Sequence, residues 1–216
     1  MMARMIVAVL ALVALAAVAA ETGHFTNRTE ALKGLAAQDA TVRAEAVAWL
    51  AAHGQPADDK ALRRRLTDDD ELVRATAEQG LWILWSRSGD KAIDALMAKG
   101  VEDMQSGQLR DAIATFSEVI RRKPAFAEGW NKRATALFLA GEFRKSLADC
   151  DQVMKRNPYH FGALAGYGQI YFQQEQYEKA IRYWKRALQV NPNMHSLELN
   201  IKAALDMLAE SPRQSA

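Results

Sequence analysis

Pro124, Pro158 and Pro192 stand at equal steps of 34 residues, and a chain punctuated so regularly is built from stacked copies of one unit. Asn157-Pro158 and Asn191-Pro192 share a dipeptide, with Lys123-Pro124 as the divergent copy. Laid out on this period, the chain gives repeats 93–126, 127–160 and 161–194. Position 4 then holds Leu96, Trp130 and Leu164. Position 8 holds Gly100, Ala134 and Gly168, and position 20 holds Ala112, Ser146 and Ala180, small residues that let two helices approach closely. Position 24 holds Phe116, Cys150 and Trp184; position 27 holds Val119, Val153 and Ala187. Each proline can end one helix or begin the next, where its missing N–H does no harm. Gly107 and Gly141 mark the turn between the two helices of their repeats, and the third copy has Glu175 there.

These columns resemble the tetratricopeptide repeat, whose pattern runs W-x2-L-G-x2-Y, then A-x3-F, then P. No copy is perfect: the tyrosine position holds Asp103, Leu137 and Tyr171 in turn. The resemblance implies an all-α fold, a right-handed α-solenoid of antiparallel helix pairs. Residues 195–210 read as one more amphipathic helix, closing the exposed end with a polar face, and 211–216 as a disordered tail. The segments Ala127–Ala134 and His160–Leu164 also look like those of small exported bacterial repeat proteins, a likeness that carries fold and not function.

A second period lies upstream. Leu35, Asp39, Val42, Arg43, Ala44, Ala46 and Leu50 recur 31 residues later as Leu66, Asp70, Val73, Arg74, Ala75, Ala77 and Leu81. The arrangement looks like short HEAT-type repeats, here assigned to 21–89, with the tetratricopeptide domain spanning 90–210. Asp39 and Asp70 are placed to cap helix N-termini, and acidic Asp68-Asp69-Asp70-Glu71 complements a helix dipole. Arg63-Arg64-Arg65 reads as a solvated charged face. Trp82 and Trp85 are expected where the two repeat types meet.

Residues 1–20 hold one charged side chain, Arg4, ahead of the apolar run Ile6–Ala20. That run has the length of a signal-peptide core and falls short of the roughly 20 residues a membrane-spanning helix needs. Ala17-Val18-Ala19 supplies small residues at both positions of a cleavage site. Export is expected, to the periplasm in a bacterium; the alternative is an uncleaved membrane anchor from residues 5–20.

The chemistry suggests binding. Among 216 residues, 28 basic and 26 acidic side chains leave +2, which argues against a nucleic-acid partner. One cysteine, Cys150, excludes both an intramolecular disulfide and a cysteine-built metal site. His24, His53, His160 and His195 form no ligand-spaced cluster, and no nucleophile elbow or phosphate loop is present. The sequence therefore implies no enzyme, cofactor or metal.

In the family this resembles, the first helix of each repeat lines a concave groove through positions 2, 5, 9, 12 and 13. Carried over, repeat one offers Asp94, Met97, Val101, Met104 and Gln105; repeat two offers Glu128, Asn131, Thr135, Phe138 and Leu139. Repeat three offers Gly162, Ala165, Gln169, Phe172 and Gln173. Members that grip a C-terminal carboxylate use Lys and Asn on these helices, whereas Met97 and Val101 stand at the matching positions here. The resemblance thus implies a protein or peptide partner, an apolar helix or extended segment bound in the groove. The alternative is a self-associating structural component of a cell-envelope assembly; some of these side chains can equally pack within the chain.

Overall fold

The computed structural model describes residues 25–210. The expected export segment 1–20 and the tail 211–216 lie outside the described residues. Among those described there are eleven α-helices, two 3-10 turns and no strand. They form two compact units that divide between Ser86 and Arg87.

The N-terminal unit contains α1 (Arg28–Gly34), α2 (Ala40–His53), α3 (Asp59–Arg63) and α4 (Glu71–Ser86), with α3 set between the two 3-10 turns. The 31-residue period has a physical counterpart at each helix start. Asp39 accepts a hydrogen bond from the Thr41 amide at 2.7 Å, and Asp70 accepts from the Leu72 amide at 2.8 Å. Arg43 donates to the carbonyls of Ala37 and Gln38; Arg74, its repeat-mate, donates to those of Asp68 and Asp69. Each arginine therefore ties down the carbonyls five and six residues before it.

Arg43 also pairs with Asp68 through two hydrogen bonds, of 2.7 and 3.1 Å. Burial pushes the Asp68 carboxyl up, but Arg43 and the Asp70 amide outweigh it and hold the pKa at about 2. Of the arginine run, Arg65 is not simply solvated: it donates to the Leu35 carbonyl and to Asp68. Leu50, Leu62, Leu66, Val73 and Leu81 fill the core beneath. Trp82 and Trp85 pack edge to face, and the Trp85 indole donates to Asp59.

The C-terminal unit holds α5 (Lys91–Gln105) and α6 (Leu109–Arg122), α7 (Ala127–Leu139) and α8 (Phe143–Arg156), α9 (Phe161–Gln173) and α10 (Tyr177–Val190), then α11 (His195–Glu210). The three pairs follow the 34-residue frame. Gly107 and Gly141 sit at φ +76°, and Glu175 is at +59°. Around each, the chain makes the same pair of bonds: Gly107 to Met104 and Gln108 to Asp103, Gly141 to Phe138 and Glu142 to Leu137, Glu175 to Phe172 and Gln176 to Tyr171. This is the Schellman closure, which demands a left-handed residue, so Glu175 bears a cost that glycine avoids.

The prolines follow the capping residues Lys123, Asn157 and Asn191. Asn157 and Asn191 each turn the chain by accepting the amide two residues on. Divergent Lys123 instead sends its ammonium to the Ser88 carbonyl.

Candidate functional site

Positions 8 and 24 of each repeat face one another, and their sizes are coupled. A Cβ on Gly100 would lie 2.6 Å from the Phe116 ring, and one on Gly168 would overlap the Trp184 ring. Those two rings are almost fully buried. The middle repeat inverts the pairing, setting Ala134 against the much smaller Cys150. The next first helix adds Gly162 and Gly166, and a Cβ on Gly166 would meet nothing nearer than the Cys150 sulfur at 3.9 Å.

An open pocket of about 250 Å³ lies against Cys150, the side chain that stands at position 24 where the other two repeats carry a ring. First helices α7, α9 and α11 supply most of its wall. Ser146, Cys150 and Trp184 come from the second helices behind them. Asn131, Gln169 and Asn200 bring carboxamides into an otherwise mainly apolar lining. Among the described residues no charged side chain lines it. The Cys150 thiol is 2 % exposed, and burial first, then the charges of Asp149 and Asp151, push its pKa up to about 12. It is a neutral packing group.

Asn131 is held from behind by a buried network. Glu128, fully enclosed, accepts from Asn131 Nδ2 at 3.1 Å and from His160 Nε2 at 3.0 Å. The Ala163 amide donates to His160 Nδ1, so the ring proton resides on Nε2, facing the carboxylate. Lys132 Nζ lies 3.2 Å from Glu128 Oε1 as an ion pair. Burial alone would raise the Glu128 pKa; the His160 hydrogen bond and the Lys132 charge bring it below the ordinary carboxylate value.

Of the groove positions expected from the sequence, Asn131, Thr135, Phe138, Gly162, Ala165 and Gln169 come together at this pocket. Met97, Val101 and Met104 instead pack into the first repeat's core with Ile93 and Phe116. Phe172 packs against Trp184 and Tyr177, at centroid distances of 5.6 and 5.4 Å. Leu139 is 53 % exposed and, with Gln173, lies outside the pocket wall. Asp94 accepts from the Ser88 amide.

Sequence reasoning missed Cys150, Trp184, Leu197 and Asn200 as lining residues. The signal for α11 was present: the 34-residue frame, carried past residue 194, makes α11 the next first helix. In that frame Leu199 and Met207 hold positions 5 and 13, and both are exposed, so the end helix carries apolar side chains on its surface. Among the described residues, no three side chains of metal-ligating type converge.

Helix pairs stacked in register, with a pocketed face of first helices, define a helical repeat domain of the solenoid class. Residues 97–161 and 164–194 match two models of the tetratricopeptide repeat, so this part of the chain is built of tetratricopeptide repeats. A TPR repeat-containing protein of Rhizobium etli is 31% identical over 125 residues, 58% of this chain and 61% of that protein. Hsp70-Hsp90 organizing protein 1 of Glycine max is 23% identical over 57% of this chain and 22% of its own length. The chain thus spans less than two thirds of either relative.

Among solved structures, the first TPR of Spaghetti (RPAP3) bound to the HSP90 peptide SRMEEVD superposes with a TM-score of 0.52 at 22% identity. That match covers 54% of this chain and 93% of the other. MamA superposes at 0.51 and 16% identity, over 71% of this chain and 82% of MamA. These superpositions share the fold.

Proposed function

We propose that the C-terminal unit is a protein-interaction module whose first-helix face binds an uncharged, apolar segment of a partner protein. One observation carries the reading: the pocket between α7, α9 and α11, open to solvent and lined without charge. A pocket that desolvates its occupant without offering an opposite charge favours apolar side chains and penalises ionised ones. Related repeat domains take peptides, as the complex of Spaghetti with SRMEEVD illustrates. That peptide ends in acidic residues, and the lining here has no cation to meet them. The expected partner segment is therefore of different chemistry.

The test uses the full chain carrying Thr135→Glu and Gln169→Glu, two changes at the pocket wall outside the buried core. Photo-crosslinking and affinity capture from the native host should yield a partner that the wild type retains and the double variant loses, with helicity unchanged by circular dichroism. Capture of the same set by both chains would falsify the groove reading. SRMEEVD should show no measurable binding by calorimetry.

A second reading, self-association, is supported by the exposed Leu199, Leu205 and Met207 of α11. It predicts a concentration-dependent mass by light scattering that Leu199→Glu reduces to that of a monomer. Export is supported by the uncharged run Ile6–Ala20. A mature N-terminus following Ala19 or Ala20, found by mass spectrometry of the native protein, is the expected result; retention of the run in the membrane fraction would point to the anchor.

A further inference from the structure

Three copies of one structural unit provide an internal reference for what the pocket lacks. In repeats one and three, the space behind the small position-8 residue is filled by the rings of Phe116 and Trp184. In repeat two, the corresponding side chain is Cys150, and the space stays open toward the first-helix face. An apolar cavity of about 150 Å³ already accommodates a benzene ring. The pocket here, at about 250 Å³, has room for a larger aromatic side chain.

We infer that this pocket is a subsite for one aromatic side chain of the partner, which supplies the ring that the middle repeat omits. The inference rests on the groove reading above and specifies its anchor. The floor formed by Cys150, Ile170 and Trp184 offers apolar contact to a ring. The carboxamides of Asn131, Gln169 and Asn200 are of the type that bonds the peptide groups on either side of such a ring.

Asn131 is further specified by the network behind it. Because its Nδ2 donates to buried Glu128, the amide is held in one orientation, and its Oδ1 is the atom left to accept a main-chain N–H. Glu128 and His160 are in this sense positioning residues: they set which end of the Asn131 amide meets the ligand without lining the pocket themselves. The absence of lining charge selects phenylalanine or tryptophan over a side chain that must remain ionised.

The repeats also suggest the decisive variant. Cys150→Phe alone would meet the Ala134 methyl, since position 8 is glycine wherever position 24 is a ring. Ala134→Gly with Cys150→Phe recreates the repeat-one pair and fills the pocket from within. A second, independent filling is Gly166→Leu, whose Cβ has only the Cys150 sulfur at 3.9 Å as a neighbour.

The experiment is a methyl-detected NMR titration of the full chain with N-acetyl-phenylalanine methylamide, and with the alanine analogue as control. The phenylalanine probe should shift the methyls of Thr135, Ala165, Ile170 and Leu197, bind at least about tenfold more tightly than the alanine probe, and lose that preference in either filled variant. Equal shifts from both probes, no shifts from either, or an undiminished preference in a folded filled variant overturns the subsite. If partner capture still depends on Thr135 and Gln169 in that case, the groove reading survives and only the aromatic anchor falls. Captured partners should lose at least about tenfold in affinity when their single contacting aromatic is changed to alanine.

Discussion

Gly166 and Gly168 lie two residues apart in α9, yet a methyl group added at each should change stability in opposite directions. At Gly168 the new Cβ would overlap Trp184 Cδ1 and Nε1 and lie 2.7 Å from Cε2. The ring cannot readily retreat, because it is 1 % exposed and its Nε1 donates to the Ala165 carbonyl at 3.2 Å. Overpacking of this kind costs about 1–3 kcal/mol, and loss of the indole hydrogen bond adds about 1 kcal/mol. Alanine's better helix propensity returns about 1 kcal/mol, so the net cost of Gly168→Ala is about 2 kcal/mol. At Gly166 the only neighbour is the Cys150 sulfur, at ordinary contact distance, and the helix gain stands alone at about 0.5–1 kcal/mol. Thermal unfolding followed at 222 nm should therefore place Gly168→Ala about 4–8 °C below wild type and Gly166→Ala about 2 °C above it. Hydrogen exchange of α9 and α10 peptides would assign both changes to the C-terminal unit. A Gly168→Ala chain as stable as wild type, or two variants that shift together, would show that positions 8 and 24 are not sterically coupled, and the account of the pocket would lose its basis.

Glu175→Gly should stabilise the chain by about 1 kcal/mol, because glycine occupies the left-handed turn position without steric cost; an unchanged denaturation midpoint would refute the strain. The Cys150 thiol, with its pKa pushed up to about 12, should resist a disulfide exchange reagent at pH 8 in the folded chain and react promptly once urea unfolds it; rapid reaction in native buffer would contradict its burial. Asp68, held at about 2 against an ordinary 3.8, contributes stability that is present above pH 3.8 and lost as the pH falls through about 2. Its share is at most about 2 kcal/mol, so wild type should lose stability across that window while Asp68→Asn, less stable at neutral pH, should decline less steeply there.

What the sequence displayed and what it concealed follow from the range over which each residue acts. The helix breaks at Pro124, Pro158 and Pro192 and the left-handed turn at Gly107, Gly141 and Glu175 are local demands, so a column of like positions reveals them even when one member departs from type. The same holds for Asp39 and Asp70, each of which caps the helix it precedes. Lining residues differ, because a column records only the angle at which a side chain leaves its helix. Met97 and Asn131 share position 5, yet one is core and the other borders the pocket. Phe138 and Phe172 share position 12; Phe172 is occupied by Trp184, while Phe138 has Cys150 behind it and borders open space. Which of these two phenylalanines borders the pocket thus goes with the residue twelve positions further along, in a different column. Cys150 is 2 % exposed, and by itself it is a small buried packing group. Its larger contribution is its small volume, which acquires meaning only beside Ala134, Gly162 and Gly166 and only in contrast to Phe116 and Trp184. The site is therefore a departure from the repeat and not a property of it: a solenoid built from three copies of the first or third unit would retain the fold and close the pocket.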